Sequence, residues 1–242
     1  MTYSGYELPQ LITGKLVKRY KRFLADIELE NKEIITAHCP NSGSMKGCAM
    51  PGSPVWISTS DNPKRKLKYT WELLQTKDSM IGINTQVPNK LIKAAIENNQ
   101  ISEFTEFTKI RAEVKTSEHT RLDLLLENEV QKTCYVEIKN CTLVEDGVAM
   151  FPDAVTTRGQ KHLDELVRLR KEGHRAVIFY LIQRMDARVF TPAAMIDKDY
   201  AQKLKNAVKN GVEIVTRDTF IDPGINPGII QVRRSVPVRL ET

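Results

Sequence analysis

Only four cysteines occur in the 242 residues, Cys39, Cys48, Cys134 and Cys141, and no two of them form a Cys-x-x-Cys pair. So thin a supply excludes a disulfide-stapled scaffold. His38, Cys39 and Cys48 form one conceivable zinc grouping, although buried idle thiols are the commoner use of such residues. Long apolar runs are missing as well, and none approaches the ~20 residues that cross a bilayer. The start, MTYSGYELPQLITGKL, lacks the charged end and apolar block of a secretion signal, so a cytoplasmic protein without membrane contact is expected. Internal repeats and low-complexity segments are absent too.

What is present is a chain with a core and a positive balance. Hydrophobic residues make up 41%, which is neither disordered nor membrane-like. The net charge is +6 and the pI about 9.1, which favours a polyanionic partner. Residues 1–85 hold twelve Lys and Arg against eight Asp and Glu, so most of the excess lies in the first third.

Residues 12–75 read as strands and turns. GKLVKRYKRFLADIELE suggests two strands with a bend near Lys18–Lys21, and EIITAH, PVWISTS and LKYTWELLQT suggest three more. PNSGSMKGCAMPGSP between them is a loop dense in Gly, Pro, Ser and Asn. About five short strands in this span suggest a small barrel or sandwich, of which the oligonucleotide-binding barrel is one form. Beyond it the chain alternates. PNKLIKAAIENNQI is a helix with apolar positions at Leu91, Ile92, Ala95 and Ile96. EFTKIRAEVK, RLDLLLE and TCYVEIKN are strands, DAVTTRGQKHLDELVRLRKEG a helix ending at Gly173, and RAVIFYLI a buried strand. DKDYAQKLKNAVKNG is a helix and VEIVTRD a strand. The fold class is therefore α/β in the mixed sense, with a division at residues 1–82 and 83–242.

The chemistry concentrates on one hairpin. Alternate residues of a strand share a face, so Tyr135, Glu137 and Lys139 point one way and Val136 and Ile138 the other. A turn centred on Val130 places Asp123 opposite Glu137. Opposed carboxylates repel unless a proton or cation sits between them. Hard oxygen ligands suit magnesium or manganese, and Lys139 would point to the same place to hold a water and offset phosphate charge. Taken alone, Glu137-x-Lys139 also fits ordinary solvated charge on a strand face.

Asp…Glu-x-Lys on consecutive strands resembles the restriction-endonuclease-like nucleases. HCPNSGSMKGC, SDNPKRKLKYTWEL, RLDLLL, YVEIKN and FPDAVTTRGQKHLDEL together resemble the sugar fermentation stimulation protein A family, over nearly the whole chain from GKLVKRYKRF to SVPVRL. That resemblance implies an oligonucleotide-binding barrel, a nuclease-like domain whose central mixed sheet is flanked by helices, and DNA as partner. It implies that Asp123 and Glu137 hold a metal with the main-chain carbonyl of Ile138, and that Lys139 is the catalytic lysine. Gln160 resembles a glutamine that some nucleases add from the following helix, and either Glu97 or Glu103 would supply a further acid. Asp153 is expected to cap that following helix, with a place behind the site as the alternative, and His162 is a site candidate ranked after Gln160, with Arg158 nearby.

Lys15, Lys18, Arg19, Arg22, Lys64, Arg65 and Lys66 are the expected contacts to nucleic acid, while Trp56, Tyr69 and Trp71 are expected mostly in the barrel core. No base-reading helix is evident, so binding should depend little on sequence. Two functions remain open: a magnesium-dependent nuclease for DNA or RNA, and a DNA-binding regulator of sugar metabolism that keeps the nuclease fold as a scaffold. The sequence leaves the choice between a monomer and a homodimer open.

Overall fold

A computed structural model describes residues 5–118, 120–130 and 132–240. The chain opens with β1 (Tyr6–Glu7), β2 (Leu11–Tyr20) and β3 (Leu24–Leu29). β4 (Ile34–His38), β5 (Pro54–Thr59), β6 (Tyr69–Gln75) and β7 (Met80–Gly82) follow. β4, β3, β2, β5 and β6 pair in that order, and a parallel contact of β4 with β6 closes them into a five-stranded barrel. Leu16, Ala25, Ile27, Val55, Ile57 and Trp71 alternate inward along these strands and fill it. Trp71 is fully buried there, whereas Trp56 packs outward against the second core. The bend between β2 and β3 holds Lys21 and Arg22 at φ +46° and +64°.

The second unit continues with α1 (Val87–Glu97), β8 (Lys109–Lys115), β9 (Arg121–Glu127) and β10 (Thr133–Cys141). Next come β11 (Leu143–Glu145), β12 (Val148–Phe151), α2 (Thr157–Lys171), β13 (Arg175–Ile182) and β14 (Val189–Pro192). The chain closes with α3 (Lys198–Lys209), β15 (Glu213–Asp222) and β16 (Ile229–Val232). The main sheet runs β1-β16-β15-β13-β10-β9-β8, with β10, β13 and β15 parallel and the outer strands antiparallel. α1 lies on the face of Val136 and Ile138 through Leu91, Ile92, Ala95 and Ile96, all buried. α2 and α3 cover the other face through Leu163, Leu166, Leu169, Tyr200 and Leu204. Gly173 and Gly211, at φ +92° and +85°, follow the helix ends with the left-handed turn that suits glycine.

The first residues leave the barrel. β1 pairs with β16, so Tyr6 and Glu7 extend the second unit's sheet rather than the barrel. β11, β12 and β14 form a separate three-stranded sheet that the sequence pattern does not reveal. The two units are bonded to each other at several points. Gly82 N donates to Gln183 O at 2.9 Å, and Met185 N donates to Ser79 Oγ at 2.9 Å. Cys48 Sγ lies 3.4 Å from Thr142 O, and the backbone N–H of Met45 donates to Asp153 at 3.1 Å.

Asp153 therefore does not cap α2. Thr156 does, its Oγ1 accepting from Gly159 N at 3.1 Å. The segment between Pro152 and the helix carries Asp153 against the barrel loop, where it also accepts from Ser44 Oγ. Gly43 sits so close that a Cβ there would lie 2.4 Å from Asp153 Oδ2, which explains the glycine. Of the thiols considered for zinc, Cys39 Sγ faces Met45 Sδ at 3.5 Å, and Cys48 faces a carbonyl. Among the described residues no helix is long and apolar enough to cross a membrane.

Candidate metal and catalytic site

The hairpin of β9 and β10 has the register that a turn at Val130 dictates: Thr133 pairs with Glu127, Cys134 with Leu126, Tyr135 with Leu125 and Val136 with Leu124. The next pair in that register is Asp123 with Glu137, and there the regular pairing ends. Asp123 Oδ2 instead accepts the backbone N–H of Ile138 at 2.7 Å. A side chain thus takes the place of a strand bond, which keeps the carboxylate beside β10.

α2 covers the face that Glu137 occupies, and only 3% of Glu137 is exposed. Its Oε1 accepts from Lys139 Nζ at 2.6 Å and from His162 Nδ1. His162 Nε2 in turn accepts from Arg158 Nε at 3.4 Å, which places the ring proton on Nδ1, facing the carboxylate. Lys139 Nζ lies 3.2 Å from that same nitrogen. Among the described residues Glu137 Oε2 is buried with no hydrogen-bond partner. Such orphaned oxygens are rare in native interiors and call for an explanation.

The two carboxyls differ in electrostatics. Burial first, and the charge of Glu137 second, push the Asp123 carboxyl up to about 6 against the help of the Ile138 N–H, Lys139 and Asn89. Burial also works to raise Glu137, but Lys139 and His162 outweigh it and leave that carboxyl below its ordinary value. The pair thus splits into an anion that persists and a neighbour that is reluctant to ionise.

The residues expected here are only partly assembled. Asp123, Glu137, Ile138 and Lys139 come together. Gln160 does not join them: its amide donates to Asp197, the cap of α3, at 3.0 and 3.2 Å. His162 stands at the carboxylates instead. It shares the buried stripe of α2 with Leu163, Leu166 and Leu169, whereas Gln160 lies at its edge, and that periodicity is the signal that favours His162. Glu97 pairs with Lys93 on the surface and Glu103 with Arg217, so neither reaches Asp123. The α1 residue that does is Asn89, whose Nδ2 donates to Asp123 Oδ1 at 2.7 Å.

The expected nucleic-acid contacts also divide. Lys64, Arg65 and Lys66 lie exposed in the loop between β5 and β6. Arg22 lies at the turn after β2, and both segments flank the junction where β3 and β6 meet the end of β4. Arg19 is engaged elsewhere, its guanidinium bracing the carbonyls of Asn41, Gly43 and Ser44 at 2.9, 3.0 and 3.3 Å. Lys18 pairs with Asp26 at 3.5 Å, and Lys15 borders a hollow with Glu28 and Glu30, away from that junction.

A closed oligonucleotide-binding barrel joined to a mixed sheet of the restriction-endonuclease type is the class of protein this architecture defines. Family models agree unit by unit. The model described as the SfsA N-terminal OB domain matches residues 17–83, and the sugar fermentation stimulation protein RE domain matches residues 86–224. The chain belongs to the sugar fermentation stimulation protein family. It is 55% identical to the sugar fermentation stimulation protein homolog of Geotalea uraniireducens over 92% of this chain and 97% of that one. It is 51% identical to the homolog of a Marinomonas strain over 96% and 89%. The structure of Pyrococcus furiosus SfsA in complex with Ca2+ superposes with a TM-score of 0.87 at 26% identity, covering 97% and 98% of the two chains.

Proposed function

We propose that this protein is a divalent-metal-dependent nuclease acting on DNA. The observation that carries the reading is Glu137 Oε2, a buried carboxylate oxygen with no partner among the described residues, next to an Asp123 whose ionisation burial and then Glu137 oppose. A divalent ion would answer both defects. Among the described residues no three His, Cys, Asp or Glu are grouped as a complete metal cage. Magnesium needs none, because it binds through one or two carboxylates and keeps water and substrate phosphate as its remaining ligands. Asp123, Glu137 and the carbonyl of Ile138 would hold it. The family relative whose structure contains Ca2+ supports a divalent ion at this fold.

When bound, such an ion would polarise the phosphate and make a bound water a better nucleophile. Lys139 supplies a fixed positive charge against the phosphate and a donor that orients the attacking water. His162 keeps Glu137 Oε1 occupied, which leaves Oε2 as the oxygen available for a cation. The barrel's Lys64, Arg65, Lys66 and Arg22 hold the nucleic-acid backbone. Incubation with single- and double-stranded DNA in magnesium, manganese or chelator tests the reading, and absence of metal-dependent cleavage in all of them removes it. The scaffold reading draws on the ion pair of Lys139 with Glu137, which fills one oxygen from within the chain. It predicts DNA binding with no cleavage under any of these conditions.

Metal affinity should depend on acidity through Asp123. Its folded carboxyl is raised, so its protonated form favours the folded state at low pH, and that contribution is lost as pH rises through about 6. A cation competes for the same oxygen in the opposite sense. Calorimetric titration with magnesium or manganese should give affinity that is level above that pH and falls by about tenfold per unit below it. Affinity level from pH 5 to pH 8 would remove Asp123 from the ligand set.

Binding to DNA should be chiefly electrostatic. Replacing Lys64, Arg65 and Lys66 together by alanine is expected to weaken all sequences alike and to reduce the salt slope by roughly one per lost phosphate contact. Affinity unchanged at moderate salt would move the binding surface elsewhere.

A further inference from the structure

A cleft of about 370 Å³ opens between the barrel and the second unit, beside the end of β10. Asn41 and Ser42 line it from the barrel, Thr85 from the segment that leads into α1, and Asn140 and Thr142 from the end of the strand that carries Glu137 and Lys139. Arg22 contributes the cleft's cation. We infer that this cleft is a subsite for an unpaired stretch of DNA strand next to the phosphate at the carboxylate pair. The inference deepens the DNA reading above and rests on it.

Three features carry it. The first is position. Asn140 follows Glu137 by three residues, about 10 Å along the strand and on its other face, which places the cleft within a nucleotide or two of the carboxylates, beyond the end of β10. The second is the wall. Besides the apolar Met150, Phe151 and Pro152 it carries uncharged amides and hydroxyls, and its one lining carboxylate, Asp153, is taken up by Ser44 Oγ and the Met45 N–H, so the wall suits a base edge rather than a second row of phosphates. Asn140 Oδ1 is fixed by Gln183 Nε2 at 2.9 Å, and among the described residues its Nδ2 has no partner. The volume is enough for one base with its sugar.

The third feature is the lip. Arg22 and its neighbour Lys21 are both held at positive φ, a conformation costly for any residue with a Cβ and natural to glycine. Long cations at such a turn sacrifice stability, and strain of this kind collects where function needs a side chain. Opposite, Ala154 is exposed at the rim, and the larger Val155 beside it is 69% exposed, an apolar edge for a base to rest on.

The test is DNA binding by the full chain in chelator, read by fluorescence anisotropy, with a blunt duplex and the same duplex bearing a single-stranded tail. The wild type should prefer the tailed duplex. Ala154→Trp fills the mouth from an exposed position and should cost the tailed duplex about tenfold while leaving the blunt one unchanged. Arg22→Gly should weaken the tailed duplex about fivefold while the melting temperature stays level or rises, a combination that no purely structural role produces. Equal wild-type affinity for both duplexes, or equal losses of both in Ala154→Trp, overturns the subsite. Failure of the wild type to bind either duplex overturns it together with the DNA reading. Tail preference that persists without any metal-dependent cleavage leaves the subsite standing and removes only the nuclease.

Discussion

Magnesium or manganese should raise the melting temperature of the wild type by roughly 5–10 °C at a hundredfold excess over the dissociation constant. Ligand that binds only the folded state contributes about 2.7 kcal/mol at that excess, and each kcal/mol moves a chain of this size by about 2–4 °C. The two carboxylates should then respond in opposite ways to neutralisation. Asp123→Asn keeps an oxygen for the Ile138 N–H, can give its NH2 to the Asn89 side chain once that amide turns its oxygen round, and removes a charge that burial and Glu137 disfavour. Without metal this variant should be at least as stable as the wild type. The rise of its carboxyl to about 6 sets the gain at no more than about 3 kcal/mol above that pH. Glu137→Gln strips the counter-charge from Lys139, whose side chain is only 13% exposed, and should cost on the order of 3 kcal/mol. Both variants should lose the metal response and all cleavage, and both should still bind DNA through the barrel. Thermal melts of the three proteins with and without each metal distinguish these outcomes. A wild type indifferent to both metals, with and without DNA, sinks the metal site.

Lys139→Ala should lose cleavage by at least about a hundredfold, the usual consequence of removing a positioned donor from a charged transition state. DNA affinity should stay within about twofold, because the ammonium is buried against Glu137 rather than presented on the barrel surface. Metal affinity should hold or rise, since the ammonium competes with a cation for Glu137. Single-turnover cleavage together with calorimetry separates the two effects. Cleavage at the wild-type rate would return Glu137-x-Lys139 to ordinary strand charge.

Much of this was legible in the order of residues because it is local. Alternation along RLDLLLE and YVEIKN sets which side chains share a face, and the polar turn at Val130 sets the register that places Asp123 beside Glu137. The helical stripe of Leu91, Ile92, Ala95 and Ile96 and the glycines at 173 and 211 likewise mark elements from their own neighbourhoods. The motifs reached further, to both units and to the family.

What tertiary structure alone decided lies where separate elements meet. Asn89 comes to Asp123 across 34 positions of sequence, and nothing in α1 by itself distinguishes it from Glu97. His162 and Gln160 are two residues apart, some 200° around the helix axis; the apolar stripe marks His162 as the buried one, but that Glu137 lies beneath it follows only from how α2 sits on the sheet. Packing of Leu163, Leu166 and Leu169 sets that rotation, and Asp197 on α3 takes the glutamine. Arg19 and Asp153 changed roles for the same reason. A charged side chain goes to the groups that burial leaves in need of a partner, and those are known only once the barrel loop is folded against the second unit.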